Sequence, residues 1–143
     1  MSERQRILIV DDDRDLVEAL KLTLKGAGFE VTAAFDAPTG LQRAASDGPD
    51  LIILDVMMPN ATEGFHFVWT LRQHAEERVR SIPIVMLTAV HEKTSLRFYP
   101  EGGDGTYRSG EYLPVQEFID KPVDPARLVE KVRQVLARGP ELR

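Results

Sequence analysis

Three short runs of aliphatic residues, each stopped by a polar side chain, constrain this fold most. Residues 7–10 (ILIV) run into Asp11-Asp12-Asp13, residues 51–54 (LIIL) into Asp55, and residues 84–87 (IVML) into Thr88. A strand with one wet face alternates apolar and polar residues. An unbroken apolar run of this length is instead a strand covered on both faces. Between the runs the pattern turns helical. Leu16, Val17, Leu20, Leu24 and Ala27 recur at helical spacing, and Gly26 and Gly28 suit the helix end. Residues 29–34 read as a second strand. Asp36 caps a helix with Pro38 in its first turn, running to about Ala45. A helix from about Gly64 to Ala75 should carry Phe65, Val68, Trp69 and Arg72 at i, i+3, i+4 and i+7, with Trp69 in the core or on the helix face. Residues 117–119 form a short fifth strand. Asp124 and Pro125 open a last helix whose apolar face is Leu128, Val129, Val132, Val135 and Leu136.

Doubly buried strands alternating with helices imply a parallel sheet with helices on both faces. Right-handed crossovers leave few windings. The expected fold is α/β: a doubly wound, five-stranded parallel sheet in the flavodoxin-like order 2-1-3-4-5. The 143 residues suit one domain, 1–143. The net charge of −5 argues against direct nucleic-acid binding, which needs a basic face. The absence of cysteine excludes disulfides, thiolate metal sites and cysteine nucleophiles. No apolar run is long enough to span a bilayer, and the first residues do not read as a signal peptide, so a cytoplasmic location is expected.

In a doubly wound sheet, ligands sit at the carboxyl ends of the strands, where the strand order reverses. That point lies between strands one and three, so Asp11, Asp12 and Asp55 converge there. Two unit charges about 4 Å apart repel by about 4 kcal/mol at an effective dielectric near 20. A cation or a retained proton must offset this. Oxygen ligands without His or Cys favour Mg²⁺ over Zn²⁺. Thr88 ends strand four, and Lys121, held extended by Pro122, follows strand five. Carboxylates, a hydroxyl and an ammonium together suit Mg²⁺ with a phosphoryl group, with Asp55 attacking phosphorus. Asp13 reads as the cap of the first helix. His66, His74 and His91 lack metal-ligand spacing.

The four fragments ILIVDDD, LIILDVMMP, MLTA and FIDKP, in this order and each at a strand end, resemble the receiver domain of two-component response regulators. The resemblance runs from Arg6 to about Ala137. It implies that Asp55 is the phosphoacceptor and that Asp11 and Asp12 are the Mg²⁺ pair, with Asp12 favoured as direct ligand. It implies that Met57 offers its backbone carbonyl to the metal and that Thr88 and Lys121 contact the phosphoryl group. Phe118 matches the aromatic that swings when the threonine moves inward. The implied donor is a histidine kinase or phosphotransfer protein, and the implied output is a changed surface for a downstream protein. The receiver would catalyse only its own phosphorylation and dephosphorylation.

Two departures stand out. Asn60-Ala61-Thr62-Glu63-Gly64 reads as a loop with one inserted residue. The stretch from His91 to Gln116 is longer than the family's equivalent. Its Glu101-Gly102-Gly103-Asp104-Gly105 cannot sustain a helix. The fourth helix of the pattern is therefore expected to be absent or cut to a turn near Thr94–Phe98, with a long loop in its place; Leu96, Phe98, Tyr99, Tyr107, Tyr112 and Leu113 then cover the sheet, in preference to forming a new docking patch. Two other readings compete. One is a docking pseudo-receiver that works without phosphorylation. The other is a Mg²⁺-dependent phosphohydrolase of the haloacid dehalogenase type. The latter would place its nucleophile among Asp11-Asp12-Asp13 and wants a second acid where Met57 stands.

Overall fold

A computed structural model describes residues 5–55, 61–88, 117–121 and 123–138. The elements in chain order are β1 (Arg6–Val10), α1 (Arg14–Gly26), β2 (Glu30–Ala34), α2 (Ala37–Ser46), β3 (Leu51–Asp55), α3 (Ala61–Arg72), α4 (Glu77–Arg80), β4 (Ile84–Thr88), β5 (Glu117–Asp120) and α5 (Pro125–Arg138). The strands form one parallel sheet in the expected order, β2-β1-β3-β4-β5.

Successive side chains of a strand point to opposite faces, and here both faces are dry. Leu8, Val10, Ile52, Leu54, Ile84 and Met86 pack with Ala44, Phe67, Val68 and Leu71 of α2 and α3. Ile7, Ile9, Leu51, Ile53, Val85 and Leu87 pack with Val17, Leu20 and Leu24 of α1 and Leu128, Val132 and Val135 of α5. The unbroken runs are thus explained: neither face of a central strand meets water. α2 lies so close to β1 that a Cβ on Gly40 would stand 2.9 Å from Val10 Cγ2.

Helix starts follow their caps. Asp13 Oδ1 accepts the Leu16 N–H at 3.1 Å, and Asp36 Oδ1 accepts the Thr39 N–H at 2.8 Å. This acceptance holds the exposed Asp36 carboxyl below its ordinary range.

α3 departs from the sequence reading. It starts at Ala61 and ends at Arg72, about one turn earlier than expected at each end. Ala61–Gly64 is therefore helix rather than an access loop. The buried face is Phe67, Val68 and Leu71, while Trp69 is 44% exposed. The cause is composition: apolar residues surround this helix, so periodicity alone does not choose a face. The helix stops where Arg72 Nη1 donates to the carbonyls of Arg80 (2.9 Å) and Ile82 (2.7 Å), drawing the chain back toward β4. The helical turn α4 sits in that return and was not foreseen. The expectations for residues 91–116, for Met57 and for the Phe118 side chain lie outside the described residues. Among the described residues, no helix is long and apolar enough to cross a membrane.

Candidate functional site

The strand register assembles the site. Val10 pairs with Leu54, so Asp11 and Asp55 each stand at the carboxyl edge of neighbouring strands. Asp55 pairs with Leu87, and Thr88 is the next residue of β4. Thr88 pairs with Asp120, and Lys121 follows, its N–H donating to the Thr88 carbonyl at 2.7 Å. Four of the expected residues thus arrive at one edge because four buried strands end together. Asp12 joins them as the first exposed residue of the β1–α1 turn.

Asp11, Asp12 and Asp55 each present a carboxylate oxygen within 4.8 Å of the others, a set that could hold a metal ion. Asp11 and Thr88 have no exposed surface, and Asp55 has 5%. Lys121 Nζ lies 3.3 Å from Asp55 Oδ1, a mostly buried ion pair. Three carboxylates and one ammonium leave an excess of negative charge in a place with little water.

Asp11 shows the consequence. Its Oδ1 accepts the Asp13 N–H at 2.9 Å. As a carboxylate, its buried Oδ2 has no hydrogen-bond partner among the described residues. Burial pushes the Asp11 carboxyl up to about 7; the Asp13 N–H and Lys121 pull against this, and the charge of Asp55 adds to it. A proton kept on Asp11 would let it hydrogen-bond to Asp55. A dication would satisfy the same orphaned oxygen without that proton. The donors are all hard oxygens, so Mg²⁺ fits them.

Sequence reasoning had grouped Asp11 with Asp12, but the two differ. Asp11 is sealed and Asp12 faces solvent. Two side chains at this edge had no sequence signal. The Arg14 guanidinium carbon stands 3.9 Å from the centroid of the Phe35 ring. These residues lie far apart in sequence, and only the adjacency of β1 and β2 brings them together.

A model of the response regulator receiver domain matches residues 7–107. Response regulator PleD of Caulobacter vibrioides is 36% identical over 130 residues, covering 91% of this chain and 26% of PleD. The DNA-binding response regulator MtrA of Mycobacterium tuberculosis is 35% identical over 136 residues, 95% of this chain and 52% of MtrA. The chain thus spans about a quarter to a half of these relatives. Among solved structures, a putative response regulator from Chloroflexus aurantiacus superposes with a TM-score of 0.75 at 33% identity, covering 95% of this chain and all of that one. The chemotaxis response regulator CheY4 of Vibrio cholerae gives 0.73 at 29% identity, with 92% and 98% covered.

Proposed function

The chain belongs to the response regulator receiver domain family of two-component signalling, and from that membership we propose that it is a phosphoacceptor switch with Asp55 as the acceptor. The observation that carries this reading is the 3.3 Å pair of Asp55 with Lys121 inside the three-carboxylate cluster. A nucleophilic carboxylate, a metal-binding acid pair and a cation for phosphoryl oxygens stand at one strand edge.

Asp55 attacks the phosphorus of a phosphohistidine on a histidine kinase or phosphotransfer protein. The new O–P bond forms as the N–P bond breaks. The electron pair returns to the imidazole nitrogen, which takes up a proton. Asp11, Asp12 and Asp55, with the Met57 carbonyl, would hold Mg²⁺. When bound, it supplies positive charge that offsets the carboxylates and the phosphoryl oxygens. Lys121 leaves Asp55 for a phosphoryl oxygen, and the Thr88 hydroxyl donates to another. Because the Lys121 N–H is bonded to the Thr88 carbonyl, movement at either reaches the start of the β5–α5 turn. Phe118, one strand residue before Ile119, is the side chain that relays this to a docking surface for a downstream protein. The chain turns over no external substrate beyond its donor. Residues 1–143 form one receiver domain, and its place of action is the cytoplasm.

The test is intact mass after incubation with acetyl phosphate and Mg²⁺. One phosphoryl group is expected on the wild type, labile to hydroxylamine, and none on Asp55→Ala. A wild type that gains no phosphoryl group and binds no beryllium fluoride would favour the pseudo-receiver instead. Phosphatase turnover that survives Asp55→Ala but not Asp11→Ala would favour the phosphohydrolase.

A further inference from the structure

We infer that Arg14, held against Phe35, is a specificity residue that draws the anionic phosphodonor into the acidic site. The inference rests on the phosphoacceptor reading above.

Arg14 is the first residue of α1, two residues beyond Asp12. Phe35 follows Ala34, whose carbonyl accepts the Asp11 N–H at 3.1 Å. The stacked pair therefore borders the acidic cluster on its β1–β2 side. The guanidinium carbon is 3.9 Å from the ring centroid, well inside cation–π range.

Arg14 differs from six of the other described arginines in how its donors are used. Arg6, Arg43, Arg72, Arg78, Arg80 and Arg133 each donate hydrogen bonds to protein acceptors. Arg14 is exposed and has Asp11, Asp12, Asp13 and Asp15 close by in sequence. Yet among the described residues no hydrogen bond or ion pair to it is formed. Stacking occupies the face of a guanidinium and leaves its N–H donors, which lie in the plane, for another acceptor. The ring thus restrains a cation at the mouth without neutralising it.

The mouth needs such a cation. The cluster is acidic, Asp13 and Asp15 flank it, and the chain carries −5 overall. A phosphodonor such as acetyl phosphate is itself an anion and is repelled as it approaches. A fixed positive charge beside the entry raises the local concentration of that anion. In the reaction the Asp55 oxygen–phosphorus bond forms as the phosphorus–acyl oxygen bond breaks, and acetate leaves with the electron pair. Arg14 takes no covalent part.

The experiment compares the intact chain with Arg14→Ala, Arg14→Lys and Phe35→Leu in saturating Mg²⁺. It measures the second-order rate of phosphorylation by acetyl phosphate, the affinity for beryllium fluoride, and the hydrolysis rate of the aspartyl phosphate. Arg14→Ala should slow phosphorylation about three- to tenfold at low salt and weaken beryllium fluoride binding in step. The gap should narrow near 1 M salt, where the screening length is about 3 Å. Hydrolysis, whose nucleophile is uncharged water, should be unchanged. Arg14→Lys should recover part of the rate, and Phe35→Leu should lose part of it. Wild-type rates and affinities in Arg14→Ala overturn the inference. So does a loss that ignores salt or falls equally on hydrolysis, which would make Arg14 a structural residue. A wild type that accepts no phosphoryl group overturns the phosphoacceptor reading itself, and beryllium fluoride binding still judges Arg14.

Discussion

The two edges of the sheet treat charge in opposite ways. At the amino edge, where strands begin, charged side chains are satisfied by partners. Arg6 donates to Glu30 at 3.2 Å and to the Asp47 carbonyl at 2.8 Å. Arg78 donates to the Ala45 carbonyl at 3.0 Å, and Arg72 holds two carbonyls before β4. Asp50 Oδ2 accepts the Arg6 N–H at 2.8 Å. At the carboxyl edge, Asp11, Asp12 and Asp55 crowd together, and a buried oxygen of Asp11 is left without a partner. Charges satisfied in this way tie elements together. Unmatched charge is a cost in the folded state that a bound cation and a phosphoryl group can relieve. The first edge therefore reads as architecture, the second as chemistry.

The largest contrast is functional. Asp55→Ala should abolish phosphoryl incorporation, from one group per chain to none by intact mass, while the cooperative unfolding transition remains. Arg72→Ala should do the reverse. It leaves the carbonyls of Arg80 and Ile82 without their donor, and such losses cost about 2–3 kcal/mol. Urea unfolding should show a lower midpoint with an unchanged slope, and phosphorylation of the folded protein should proceed at the wild-type rate. A large loss of phosphorylation in folded Arg72→Ala would erase the division between the edges.

Asp11→Asn sharpens the comparison further. The amide keeps an acceptor for the Asp13 N–H and removes a poorly compensated charge. In EDTA at pH 8 it should stabilise the protein by at most about 4 kcal/mol, given that each unit of pKa shift corresponds to about 1.4 kcal/mol, while weakening Mg²⁺ binding. The sign of the pH dependence follows from the direction of the Asp11 shift, up from 3.8 to about 7. Between those values the folded state keeps a proton that the unfolded chain releases. The Asp11 contribution to stability therefore falls as pH rises through that window and levels off above it. Asp36, shifted downward, contributes in the opposite sense, losing stability as pH falls through its folded pKa. The difference between wild type and Asp11→Asn isolates Asp11. It should widen from pH 5 to pH 8 in EDTA and shrink or reverse in Mg²⁺, which stabilises the wild type more. A difference independent of pH would show that Asp11 does not retain its proton.

Much of the carboxyl edge was legible in the sequence because one physical cause produced two signals. A strand buried on both faces must be apolar throughout, and its first polar residue marks where it leaves the core. Asp11, Asp55 and Thr88 were visible for that reason, and Asp13 and Asp36 because caps act within one turn. What was not legible depends on neighbours that the local pattern does not name. The face of α3 was not legible because Phe65, Phe67, Val68, Trp69 and Leu71 offer several apolar stripes, and the sheet beneath chooses Phe67, Val68 and Leu71. The clamp of Arg72 and the stack of Arg14 on Phe35 join residues whose proximity the topology creates. The unequal burial of Asp11 and Asp12 is likewise a property of the assembled edge.

The smallest expected effect tests whether matched charge is worth much even where it is well made. Arg6 and Glu30 begin neighbouring strands, and their side chains are 55% and 53% exposed. Water screens such a pair, and holding two long side chains in one geometry costs entropy. Exposed pairs therefore contribute about 0.2–1 kcal/mol. A double-mutant cycle of Arg6→Ala and Glu30→Ala should give a coupling at the lower end of that range, declining with salt. Arg6→Ala alone should cost more than the coupling, because it also removes the bond to the Asp47 carbonyl, which closes the turn before β3. If the coupling instead rivals the effect of Asp11→Asn, charge at the amino edge is as consequential as charge at the site. Burial would then not be what separates the two edges, since the Arg6–Glu30 pair is half in water while Asp11 is wholly enclosed.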